Sequence, residues 1–151
     1  MTPEDLVAIE EIRQLKARYF HLMDQKRWDE WEDVFCEDVE IDTTQEGSPI
    51  IHGRRAFRTY LEPLLEGVKT VHHGHTQEIA LTDSRHATGT WAMEDHLWWP
   101  RERGGMHLWG TGFYFEHYRK DPDGRWRIEH LKLRRIRTEV DGEQTFPRPE
   151  P

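Results

Sequence analysis

The stretch HATGTWAMEDHLWW, residues 86–99, decides how this chain folds. Its side chains alternate in character with a period of two, as those of a strand with one covered face do. One parity carries Gly89, Trp91, Met93, Asp95, Leu97 and Trp99. The other carries Thr88, Thr90, Ala92, Glu94, His96 and Trp98. Asp95 therefore lies on the apolar face between Met93 and Leu97, while Glu94 and His96 lie on the polar one. A carboxylate on a core face is costly unless it is paired or neutral. It is either half of a structural ion pair or a group kept for chemistry.

The same period runs on both sides of this stretch. Strands are expected over 69–80, 86–99, 105–119 and 125–137, separated by turn signals at Thr82-Asp83-Ser84, Arg103-Gly104-Gly105 and Asp121-Pro122-Asp123-Gly124. In 125–137, Leu131, Leu133 and Arg135 share one face, and His130, Lys132 and Arg134 share the other. Arg135 is thus the arginine placed to meet a buried carboxylate or a substrate oxygen. In TVHHGH, residues 70–75, His72 shares its face with Thr70 and Gly74, whereas His73 and His75 share theirs with Val71. Neither face is plainly apolar, so parity alone does not say which one is inside.

Upstream of residue 69 the period changes to that of helices. Leu6, Ile9, Ile12, Leu15, Tyr19 and Leu22 recur at steps of three and four, with Glu, Arg and Lys between them. Thr2-Pro3-Glu4-Asp5 has the form of a capped helix start with carboxylates in the first turn. A short helix is expected over Arg27–Cys36, a strand over Val39–Asp42 and a third helix from about Arg54 to Glu66. Five residues of helix turn ~500°, which leaves Tyr19 and Asp24 about 140° apart. They converge only if the helix ends near Met23; otherwise Asp24 is a plain helix-end residue.

Helices first and a meander of long strands second make an α+β domain. The expected shape is a cone-shaped, curved antiparallel sheet packed against about three N-terminal and central helices, a form that encloses a small-molecule pocket. One domain spans residues 1–140. The polar, proline-rich stretch 141–151 is expected to be a flexible tail or to drape over a neighbour.

Composition narrows the partners. The 29 acidic against 21 basic residues give a net charge of −8, the wrong sign for a nucleic-acid surface. The basic run Arg134-Arg135-Ile136-Arg137 reads as a solvated strand end. Mean hydropathy is −0.93, yet 7 Trp, 6 Phe and 4 Tyr require a core, since disordered chains are poor in aromatics. No run approaches a membrane span, the N-terminus has no apolar leader, and the lone Cys36 fits a reducing compartment, so a cytoplasmic protein is expected. His73 and His75 could converge on a metal, but no Cys or Asp stands at ligand spacing along the chain. No metal and no cofactor are expected.

In order along the chain come IRQLKARY (12–19), Asp24, WDEWEDVF (28–35), Asp38, Gly53, TVHH (70–73), ATGTW (87–91), GTGFY (110–114), Tyr118 and DGRWRI (123–128). Assembled, they resemble the SnoaL-like branch of the nuclear transport factor 2-like superfamily over about residues 5–138. That branch is the one that holds scytalone dehydratase, bile acid 7-alpha-dehydratase and hexachlorocyclohexane dehydrochlorinase. The resemblance implies that His72 is a base oriented by Asp24 and that Tyr19 is the tyrosine of the dehydratases. Asp95 and Arg135 match a strand aspartate and a C-terminal arginine, the two residues that parity selects independently. A second strand histidine of the scytalone type is missing, because His96 has the polar parity. The implied activity is a cofactor-independent dehydratase or related β-elimination on a hydrophobic, polycyclic or steroid-like small molecule. An isomerase and a non-catalytic binding domain are the alternatives. The resemblance also implies a homodimer or homotrimer.

Overall fold

The structure, a computed structural model, describes residues 1–150. Helix α1 (Pro3–Asp24) starts at a capping box: the Thr2 hydroxyl accepts from Asp5 N, the Asp5 carboxylate accepts from Thr2 N, and Pro3 opens the first turn. Its inward stripe is Ile12, Leu15, Tyr19, Phe20, Leu22 and Met23. Leu6, expected in that stripe, is exposed, and Ala8 packs against the core instead. Lys16, expected among the solvated residues, is fully buried. Helices α2 (Trp28–Glu32) and α3 (Arg54–Leu64) complete the helical layer. Trp31 packs edge-on against Phe35 and meets Phe57 and Tyr19.

The strands are β1 (Phe35–Asp42), β2 (Ile51–His52), β3 (Lys69–Leu81), β4 (His86–Trp98), β5 (His107–Lys120), β6 (Trp126–Val140) and β7 (Glu143–Phe146). Their order in the sheet is β2-β1-β6-β5-β4-β3, with β7 added beside the end of β6. The four long strands form the expected meander within one or two residues of the expected bounds, except that β6 runs on to Val140. Besides the unexpected short strand β2, three features differ from the sequence reading. The sheet is mixed, because β1 pairs parallel to β6. Cys36 belongs to β1, so α2 is shorter than expected. Residues 143–146 of the expected tail pair antiparallel with Thr138–Val140.

Curvature comes from register breaks. The β3–β4 ladder shifts between His75 and Glu78, where Thr76 takes a φ of 46°, and the β5–β6 ladder shifts twice. Each extra residue bends its strand and increases the twist. The sheet thereby wraps around α1, and its concave face carries Trp91, Met93, Tyr114, Leu131 and Leu133, all buried. Helix α1 packs tightly against the sheet at Gly74. A Cβ there would stand 2.6 Å from the Phe20 ring, so a residue without one lets the end of the helix lie against β3 next to His72.

Candidate active site

Asp24 is the last residue of α1, where the chain reverses through Gln25 and Lys26 (φ 58°). A carboxylate at a helix C-terminus faces the negative end of the macrodipole. Local donors offset this. The Thr70 hydroxyl donates to Oδ1 (2.8 Å), the His72 backbone N–H to Oδ2 (2.9 Å), and His72 Nδ1 lies 2.7 Å from Oδ1. Lys26 Nζ in turn donates to the Thr70 hydroxyl (2.8 Å). Partial burial works to raise the Asp24 pKa, but the His72 ring bond and charge, the His72 N–H and Thr70 together hold it below the ordinary carboxylate value. An ionised Asp24 can only accept, so Nδ1 carries the proton of a neutral His72 and Nε2 keeps its lone pair.

That free nitrogen points across the sheet. His72 and Asp95 are register partners on β3 and β4, and His72 Nε2 stands 3.7 Å from Asp95 Oδ2. Asp95 is 2% exposed. Its charge is met by a two-pronged pair with Arg135, Nη1 to Oδ1 at 2.6 Å and Nη2 to Oδ2 at 2.8 Å. Fork-to-carboxylate geometry of this kind is the strong, oriented form of the pair. It needs Gly110, which pairs with Asp95 on β5, since a Cβ at that position would collide with both the guanidinium and the carboxylate. Arg134 points the other way and pairs with Asp42.

Tyr19 stands apart from the dyad. Its hydroxyl lies 3.5 Å from that of Tyr114, and its ring meets Tyr114 edge-on. Burial raises both phenol pKa values, so both remain protonated donors at neutral pH. Phe20 stacks on the His72 ring at 6.4 Å and packs against Tyr19 and Tyr114, which ties the tyrosines to the histidine through an aromatic wall. Below them lies a fully buried Lys16–Glu116 pair (3.1 Å), the ammonium 3.8 Å from the Tyr19 ring centroid and 3.6 Å from that of Tyr114.

Of the five residues singled out in the sequence, four form one chain of contacts, Asp24–His72–Asp95–Arg135, and the fifth, Tyr19, joins it through Phe20. Two neighbours escaped the sequence reading. Tyr114 lies on a strand whose inward parity was not assigned, and Glu46, which accepts from Arg135 Nε at 2.7 Å, lies in a 3-10 turn (Thr44–Glu46) inside an expected loop. Two clefts flank the cluster. One of about 440 Å³ between α1 and β3 exposes His72 beside Phe20 and Trp91, with Arg13, Gln14 and Gln77 at its rim. The other, about 460 Å³, exposes Arg135 among Leu97, Leu108, Thr138 and Phe146.

A SnoaL-like domain model matches residues 4–132. The chain belongs to the SnoaL-like domain family. The SnoaL-like chain is similar to a probable cyclase, FGR4, of Gibberella zeae, 23% identical over 83% of this chain and 89% of the relative. Among solved structures, a candidate scytalone dehydratase of Novosphingobium aromaticivorans superposes with a TM-score of 0.82, at 24% identity over 99% of this chain and 100% of that one. A hexachlorocyclohexane dehydrochlorinase, LinA type 2, gives 0.80 at 15% identity over 91% and 90%. At such identities the two structures share the fold of this chain. No helix among the described residues is long and apolar enough to cross a membrane.

Proposed function

We propose that this SnoaL-like protein is a cofactor-independent lyase that removes water or hydrogen halide from a hydrophobic small molecule, with His72 as general base. The observation that carries the reading is the double grip of Asp24 on His72, through the ring and through the backbone N–H. A fixed tautomer and an adjacent anion let Nε2 take a proton at neutral pH and stabilise the imidazolium that results. The substrate carries an acidic C–H next to a carbonyl or a leaving group. Arg135 and the tyrosine pair supply donors for the charge that develops on oxygen. Asp95 holds Arg135 and, 3.7 Å from Nε2, adds a second anion to stabilise the charged ring.

Beside Arg135, Leu97, Leu108 and Phe146 suit an apolar molecule. Glu46, 40% exposed at its side chain, is the partner that Arg135 can release for a substrate oxygen, whereas Asp95 is buried. A second reading rests on the FGR4 likeness: the same proton abstraction, followed by attack of the carbanion on a second carbonyl, is a cyclisation. The test is a panel of hydroxysteroids, hydroxyaromatics, polyketones and halogenated hydrocarbons in deuterated water, read by mass spectrometry. Loss of water or hydrogen halide supports the lyase, deuterium uptake at carbon without loss of mass supports a proton shift, and a chromatographically distinct product of unchanged mass supports cyclisation. A compound that binds tightly and is recovered unchanged, with no deuterium at carbon, overturns the reading in favour of a binding domain.

A further inference from the structure

The histidines on the other side of β3 are not accounted for by the His72 cluster. His73 and His75 stand two residues apart on the outer face, half exposed, with ring centroids 5.9 Å apart. Across the ladder His73 is paired with Glu94 of β4. Glu94 Oε1 lies 3.4 Å from His75 Nε2 and 3.7 Å from His73 Nδ1, and one ligand atom from each residue falls within 4.8 Å of the other two. Spacing along the chain gave no third ligand because Glu94 comes from the neighbouring strand.

We propose that His73, His75 and Glu94 bind a divalent transition ion, Zn²⁺ by preference, on the outer face of the sheet, beside the cleft that exposes His72, which His73 and His75 also line. A zinc ion with nitrogen and oxygen ligands at about 2.0–2.1 Å sets neighbouring ligand atoms about 3.3 Å apart in a tetrahedron. The two Glu94 separations already approach that value. Two imidazoles and one carboxylate are a ligand set that zinc, nickel and copper accept, and it leaves one position for water or a further ligand. The support is firm, because all three side chains rise from paired strands rather than loops. Glu94 supplies the carboxylate, and its Oε1 faces both imidazoles. No Lys or Arg competes for it within the three register rows around it on β3, β4 and β5, which hold Val71, His96 and Trp109, then His73, Glu94 and Thr111, then His75, Ala92 and Phe113. Bound there, the ion ties the edge strand to β4 on both sides of Gly74, just beyond His72.

The test is calorimetric titration of the full chain, free of any histidine tag, with zinc chloride, beside His73→Ala, His75→Ala, Glu94→Gln and, as a control on the same face, His96→Ala. The expected result is one ion per chain with a Kd of about 1–10 μM. Each of the first three substitutions should weaken it at least tenfold, and His96→Ala should leave it unchanged. All four sites are at or near the surface, and circular dichroism checks that the variants keep the fold. No saturable binding below about 1 mM, or binding that survives all three substitutions, overturns the proposal.

Discussion

At the scale of single residues, the decisive pair is Asp24 and His72. The sequence placed His72 by resemblance and Asp95 and Arg135 by strand parity, and the structure puts all three in contact. Whether Asp24 reaches His72 was not legible, because it depends on where α1 stops and how Lys26 turns the chain, and a helix period says nothing about either. The Asp24 pKa is lowered in the fold, which fixes a sign. Its contribution to stability is complete above the unfolded carboxylate value near 3.8 and is lost as pH falls through the lower folded value. Asp24→Asn is therefore expected to cost about 1.5–3 kcal/mol at pH 7, as for hydrogen bonds to a charged group. The gap from the parent should shrink as pH falls below 3.8. Urea unfolding at pH 7 and below pH 3.8 checks this, and a gap that persists unchanged in acid contradicts it.

At the scale of elements, the long strands declared themselves because each has one covered face. Short β2 and β7 did not, and β1, expected as a strand over Val39–Asp42, did not reveal its parallel pairing, because two- and four-residue strands and the direction of pairing leave no period in the sequence. Strand β7 has a consequence for access. Phe146 from β7 and the Gln45–Glu46 turn stand over Arg135 at the mouth of the second cleft. Phe146 is half-buried and remote from His72. Phe146→Ala should therefore raise KM about fivefold and leave kcat within twofold, in line with the loss of about 1 kcal/mol of apolar contact. Steady-state kinetics on a converted compound decides it, and an unchanged KM with reduced kcat would place β7 in the chemistry instead of at the entrance.

At the scale of the whole molecule, a strongly acidic exterior surrounds an aromatic interior that contains a fully buried ion pair. Lys16 and Glu116 lie 100 residues apart in sequence, and only the closure of the sheet over α1 brings them together. No local pattern could announce that. Burial lowers the Lys16 pKa to about 8, with the Glu116 charge opposing the shift. Removing one partner strands the other in an apolar interior. Lys16→Met alone should cost about 3–5 kcal/mol, while Lys16→Met with Glu116→Leu should fall close to the parent or above it. Denaturant unfolding of the three proteins tests the point, and a double variant no more stable than the single one would show that the pair is needed for more than mutual neutralisation.

The central claim is that Nε2 of His72 takes the proton. Its most direct test is the kcat/KM of His72→Ala on whichever compound the parent converts, with near-ultraviolet circular dichroism to show that the aromatic core is intact. Loss of a positioned base should lower the rate by about 10²–10⁴-fold. A variant that keeps the fold and retains a rate within a factor of a few of the parent would contradict the claim.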